Sequence, residues 1–326
     1  MRRKEQQIER RVREIERKHR RKAARERFRR VLHRALPAAV LLTVMTALGL
    51  LLYFRSRPRR AGEAACVPDA LNIYVLDVGQ GDAVLLECQG HAALIDAGDY
   101  TQGGRVVSAM HSLGITHLDY AVNSHPHADH IGGMQTVLRR VPAGMLILPD
   151  FPAALTPTVP SYLHALETAE QQGIPVRHAQ CREKLPLGGA EIELLCTDNS
   201  GFTDLNDCSL GCRVTFGGFS FFCAGDLGAE GEAAMLSAGL IEPVTVLKVS
   251  HHGSSTSGTE AFLAAAAPQF AVISVGAPND YGHPAPACLA RLRAAGCNVY
   301  RTDLDGTVHL AADGSRVTVF TDVSFE

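Results

Sequence analysis

The 326-residue chain carries 32 Lys and Arg against 34 Asp and Glu, and its hydrophobic share of 46% suffices for one large core or two smaller ones. The near-neutral total conceals an uneven layout: residues 1–34 hold 16 basic and 5 acidic side chains, whereas residues 61–326 hold 12 basic and 29 acidic, a net of −17. Such an acidic domain argues against a broad phosphate-gripping face, and nine cysteines without a C-x-x-C pair argue against a thiol–disulfide catalyst or a Cys₄ zinc site.

In chain order, the basic leader 1–34 comes first, with Ile8, Val12 and Ile15 at helical spacing. Residues 35–54 then contain no charged side chain, a run of 20 positions and long enough to cross a bilayer core as a helix. Arg55, Arg57, Arg59 and Arg60 close it, and residues 55–70 form a linker with Pro58, Gly62 and Pro68. The leader is too long for a cleaved signal peptide, so the pattern predicts an uncleaved single-pass anchor that contacts membrane lipid. The greater basic excess lies on the N-terminal side, which predicts a cytoplasmic N-terminus and an extracellular domain over residues 71–326.

From Leu71 the pattern turns to strands. Residues 72–76, 83–88 and 91–95 read as consecutive antiparallel strands around short Gly-containing turns. Helical spacing follows over 105–113, 134–140 and 161–172, with strand-like runs between, including Leu118 to Val122. A second set of strands is predicted at 191–195, 211–216 and 219–223, then a helix at 229–238, a strand at 244–249, a helix at 260–266, a strand at 270–275 and a helix at 287–295. Two halves, each with sheet and helices, predict an α/β fold of two face-to-face sheets with helices outside.

The run Ser124-His125-Pro126-His127-Ala128-Asp129-His130-Ile131-Gly132-Gly133 places three imidazoles and a carboxylate within six residues, directly after a strand. A strand ending in a tight turn aims alternate side chains at one point, so His125 and His127 can share a metal ion. Asp129 and His130 follow where the chain curls into a helix, and can reach a second ion from the other side.

This run resembles the signature of the metallo-β-lactamase fold hydrolases. Leu76-Asp77-Val78-Gly79-Gln80-Gly81-Asp82-Ala83 is more specific and is similar to the opening of the soluble hydrolase domain of the competence protein ComEC. The likeness continues in order through Leu94 to Gly98, Asn206 to Leu210, Ala224-Gly225-Asp226, Lys248 to Ser254 and Tyr281 to Pro284, and covers about residues 70 to 322. It implies a four-layer αββα metallo-β-lactamase sandwich and two divalent metal ions, with a metal-bound hydroxide as nucleophile. His125 and His127 would hold one ion, Asp129 and His130 the other, and Asp226 would bridge them.

Either His251 or His252 would reach the second ion; His252 is preferred, with His251 turned toward a carboxylate. His283 would ligate the second ion or protonate the leaving group, and Lys248 joins Asp129 and His283 as a candidate catalytic residue. Asp96 is expected to orient a His ligand, and Asp77 to form a turn or support the site from behind. Many relatives place a third His on the first ion where this chain has Asn206-Asp207-Cys208-Ser209. Asn206 could ligate weakly or bind a substrate phosphate with Ser209, so Mn²⁺ stands beside Zn²⁺ as the expected metal. The expected function is a membrane-anchored, metal-dependent phosphodiesterase acting on a small or envelope phosphodiester rather than bulk DNA. The alternatives are a ComEC-like nuclease and a non-catalytic envelope module whose metals only stabilise the fold.

Overall fold

The structure, a computed structural model, describes residues 65–325. The leader, the apolar run 35–54 and the linker up to residue 64 lie outside the described residues. No helix among the described residues is long and apolar enough to cross a membrane.

Alternation of side chains along the first strands builds the architecture. In β1 (Leu71–Val75) the side chains of Leu71, Ile73 and Val75 enter one core while Tyr74 enters another, and all five residues are buried. β2 (Val84–Cys88) and β3 (His91–Ile95) repeat the pattern and pair antiparallel in succession. From β3 the chain proceeds by helical crossovers to three parallel strands: β4 (Tyr120–Val122), β5 (Leu146–Leu148) and β6 (Val176–His178). The helices Gly103–Ser112, Met134–Arg140 and Pro160–Gln171 cover the outer face of this sheet through Val106, Met110, Val137 and Ala165.

The second sheet begins with β7 (Lys184–Leu187), β8 (Ala190–Leu195), β9 (Gly211–Phe216) and β10 (Phe219–Cys223), all antiparallel. It continues in parallel through β11 (Val246–Lys248), β12 (Phe270–Ile273) and β13 (Asn298–Arg301). Helices Ala229–Ser237, Glu260–Ala266 and Pro286–Ala294 pack outside it on Phe222, Leu247 and Ile273. Between the sheets, Ile73, Leu86 and Ile95 join Leu194, Val214, Phe221 and Val272 in a buried apolar middle layer. Each such fully buried side chain contributes about 1.5–3 kcal/mol.

The result is the αββα sandwich, with one departure from two self-contained halves. β14 (Thr307–Ala312) and β15 (Val317–Val323), not assigned from the sequence pattern, return to the first sheet, giving the orders β15-β14-β1-β2-β3-β4-β5-β6 and β13-β12-β11-β10-β9-β8-β7. β7 was also not assigned. Its Pro186 breaks the strand pattern, and is tolerated because β7 is an edge strand. The expected strands 118–122 and 244–249 shorten to Tyr120–Val122 and Val246–Lys248. In both sheets the parallel strands β3–β6 and β10–β13 end on loops that gather chemistry-bearing residues, as parallel strands do at their carboxyl ends.

Candidate metal centre

The His-rich run is shaped by the backbone around it. Asn123 N–H still donates to Ile147 O at 2.9 Å as β4 ends, and Ser124 N–H donates to Asp96 Oδ1 at 2.8 Å. His127 then caps the one-turn helix Ala128–Ile131 in extended conformation, so Asp129 and His130 project from its first turn. Glycine is required behind it: a Cβ on Gly133 would sit 2.1 Å from Ala97 O. The loop before β2 closes from the other side, where Gly81 (φ +147°) would bring a Cβ within 2.5 Å of Asp129 O.

Three loops, after β4, β10 and β11, thus deliver donors to one point. His125 Nε2 lies 3.1 Å from His127 Nδ1 and 3.9 Å from Asp226 Oδ2. His130 Nε2 lies 3.1 Å from Asp226 Oδ1, and His252 Nε2 lies 3.2 Å from Asp129 Oδ2 and 3.6 Å from Asp226 Oδ2. Ligand atoms of Asp129, His130, Asp226 and His252 fall within 4.8 Å of one another. Asp226 has carboxylate oxygens within 4 Å of His125, His130, His251 and His252.

The His251-His252-Gly253 turn separates two adjacent rings. All three residues have positive φ (51°, 52° and 77°), a conformation that is costly for side-chain-bearing residues and recurs at functional sites. It drives His252 inward, while His251 stays partly exposed with Nε2 3.8 Å from Asp226 Oδ2.

Hydrogen bonds behind the rings set their tautomers. His252 Nδ1 donates to Ser274 O at 3.0 Å, and His130 Nδ1 bonds Asp96 Oδ2 at 2.9 Å, which turns both Nε2 atoms toward the cluster. Asp96 is itself held by Asn123 Nδ2 at 2.9 Å and Ser124 Oγ at 2.6 Å. Ser209, expected to contact a substrate or to support the ligands from behind, lies under the cluster, where its Oγ accepts the Asp226 N–H at 3.2 Å. Lys248, expected among the catalytic groups, is buried with its ammonium on Asp82, whose carboxylate in turn faces His130 and His252. Asp77 stays outside the cluster: its Oδ1 accepts the Gly79 N–H at 3.1 Å and its Oδ2 meets Arg105 at 3.4 Å.

A cleft of about 130 Å³ opens onto the donors, with Asn206, His251 and His283 in its wall beside Gln80 and Tyr281. Gln80, Tyr281 and Asp82 were not singled out as site residues from sequence. Asp82 lies 3.5 Å from His252 Nδ1 and 3.7 Å from His130 Nδ1, and the Gly-x-Gly turn that delivers it was the available signal.

The electrostatics follow from burial. Burial opposes charge on Asp226, but the facing His130 and His252 outweigh it and hold its carboxyl well below the usual range. Asp129 is drawn down to about 2 against burial by the His252 hydrogen bond and His130. Burial would lower His252, yet Asp226, Asp129 and Asp82 lift it to about 10. His125, buried and next to His130, is pushed well below its ordinary value. His283 is lowered by burial and then by His251 and His252.

The donor set fits divalent cations. Among the described residues, Asn206 Oδ1 is buried without a hydrogen-bond partner, and His130 Nε2 and Asp226 Oδ1 face each other at 3.1 Å without a well-aligned hydrogen bond, a state that folded proteins rarely leave uncompensated. Imidazole nitrogens and carboxylate oxygens suit zinc-like or manganese-like ions, and a bound cation would replace the protons that the carboxylates hold on His130 and His252.

Comparison with known proteins agrees with this geometry. The profile of the metallo-beta-lactamase superfamily matches residues 76–277. Competence protein ComA of Neisseria gonorrhoeae is 33% identical over 290 residues, covering 84% of this chain and 37% of its own. ComE operon protein 3 of Bacillus subtilis is 27% identical over 261 residues, covering 74% and 33% respectively. The chain therefore spans about a third of the length of these relatives. Among solved structures, CmlA, a diiron beta-hydroxylase from Streptomyces venezuelae, aligns with a TM-score of 0.51 at 16% identity, over 75% of this chain and 54% of its own, which bears on the fold alone.

Proposed function

We infer that this chain, which belongs to the metallo-beta-lactamase superfamily, is a membrane-anchored, metal-dependent phosphodiesterase. The observation that carries the reading is the cluster of Asp129, His130, Asp226 and His252 beneath one cleft, with His125 and His127 against it and Asn206 Oδ1 buried without a partner. In this reading His125 and His127 would hold one divalent ion, Asp129, His130 and His252 would hold a second, and Asp226 would serve both, each ion being Zn²⁺ or Mn²⁺. When bound, such ions supply hydroxide from water near neutral pH and stabilise charge developing on oxygen.

The chain's own groups do the rest. Asp96 and the Ser274 carbonyl keep His130 and His252 in the tautomer that presents Nε2. Asn206, with its amide oxygen in the cleft, aligns a phosphoryl group or completes the ligands of the first ion. His283 lines the cleft, where its ring can donate a hydrogen bond to the leaving oxygen. Residues 35–54 anchor the chain in lipid, with the N-terminus cytoplasmic and the domain extracellular.

The small cleft and the net of −17 over residues 61–326 favour a small or envelope phosphodiester. The competence proteins among the relatives favour a second reading, cleavage of DNA. Purified chain loaded with Mn²⁺ or Zn²⁺ is to be assayed on bis-p-nitrophenyl phosphate, single-stranded DNA and nitrocefin. The expected result is diester hydrolysis abolished by chelator and by Asp129→Ala or Asp226→Ala in folded protein. Wild-type rates in both variants would end the metal-centre mechanism.

A further inference from the structure

Two thiols lie together at the far edge of the second sheet, outside the metal centre. β7 and β8 form a hairpin paired from Leu187↔Ala190 to Lys184↔Glu193. Cys181 stands three residues before Lys184 and Cys196 three residues after Glu193, so both lie at the open end of the same hairpin. The ladder closes just short of them, with Arg182 N–H on Leu194 O at 2.7 Å and Leu194 N–H on Glu183 O at 2.8 Å.

The Cys181 thiol sits against Cys196 itself. Its Sγ donates to Cys196 O at 2.9 Å and accepts the Cys196 N–H at 3.4 Å. Cys181 is exposed and Cys196 half-buried, whereas Cys88, Cys208, Cys212, Cys223 and Cys288 are buried. The other close pair, Cys212 and Cys223, lies directly opposite across β9 and β10 in the closed middle layer, where no solvent-borne reagent reaches it. Backbone and exposure therefore single out Cys181 and Cys196 as a reagent-accessible pair already in register.

We propose that Cys181 and Cys196 are a disulfide-forming site, closed by exchange with a small external disulfide. The exposed Cys181 sulfur attacks the external disulfide, forms a mixed disulfide and releases one thiol. Cys196 then attacks the Cys181 sulfur and expels the second thiol. One protein disulfide forms, one external disulfide is reduced to two thiols, and the two cysteine protons pass to them. The order follows from the environment: burial first, and then the neighbouring Cys181, push the Cys196 thiol up to about 12, so it resolves rather than initiates. The bond staples an edge hairpin and anchors the start of the segment that carries Asn206 to the cleft.

The test uses the purified full chain, incubated folded with oxidised glutathione, alkylated, digested and mapped by mass spectrometry. The expected product is a linked peptide joining Cys181 to Cys196, lighter by two hydrogens. Its formation raises the Tm by about 5 °C, reversibly with dithiothreitol. Cys196→Ser is expected to retain glutathione on Cys181, because the resolving thiol is gone. Glutathione remaining on Cys181 in the unmutated chain, or a linkage joining other cysteines, overturns the assignment. None of these readouts depends on hydrolase activity.

Discussion

The ammonium of Lys248 is buried against the carboxylate of Asp82, 166 residues earlier, directly beneath the candidate metal ligands. Burial disfavours both charges, but their mutual attraction lowers Asp82 and raises Lys248, so the pair stays ionised. Removing one partner leaves the other charge unpaired in the interior, at a cost of about 3–5 kcal/mol. Lys248→Met is therefore expected to lose about that much stability in urea unfolding. The Asp82→Asn/Lys248→Met double variant is expected to lose far less than the two singles summed. Strict additivity would mean that the two groups do not interact.

Asp96 touches His130 but does not face the cleft. Asp96→Asn keeps the size of the side chain and removes the charge that fixes His130 Nδ1 as donor. Such supports behind a metal ligand are worth about 10–100-fold in metal affinity or activity. The expected outcome is a loss in that range by metal titration, with a circular dichroism spectrum unchanged. Unaltered affinity would reduce Asp96 to a packing role.

His309 offers a pH test far from the ligands. Its ring is stacked between Tyr74 at 4.1 Å and Phe320 at 5.2 Å, and Nε2 donates to Asn72 Oδ1 at 2.9 Å. Burial lowers its pKa from 6.5 to about 4. Between these values the unfolded chain binds a proton that the folded chain refuses, so this contribution is complete above pH 6.5 and is lost as pH falls toward 4. The full difference is roughly 3 kcal/mol. In chelated protein, the stability advantage of wild type over His309→Gln should shrink by about that amount from pH 7 to pH 4. A constant difference would show that His309 is not the titrating group.

Substrate choice has a salt signature. A protein that grips phosphates loses affinity steeply as salt releases counterions. With 12 basic and 29 acidic residues over 61–326, this chain is expected to repel a long polyanion. Its kcat/KM on DNA should stay flat or rise with salt, while a small diester shows little effect. Much faster cleavage of long DNA at low salt, falling steeply toward physiological salt, would instead favour the nuclease reading.

The sequence by itself determined what depends on neighbours along the chain. His125, His127, Asp129 and His130 are legible because a strand end and one helical turn bring them together within six residues. Short apolar runs bounded by Gly-containing turns likewise made β1 to β3, β9 and β10 readable. What only the tertiary structure decided rests on contacts between distant segments, which carry no local period. Lys248 meets Asp82 because β11 and the loop after β1 belong to facing sheets. β14 lies beside β1 because Leu310 and Ala312 share the middle layer with Ile73, and an edge strand such as β7 accepts a proline that a buried one would not. The left-handed His251-His252 turn is equally invisible in sequence, since packing around the cluster holds a strained backbone that no local preference would select.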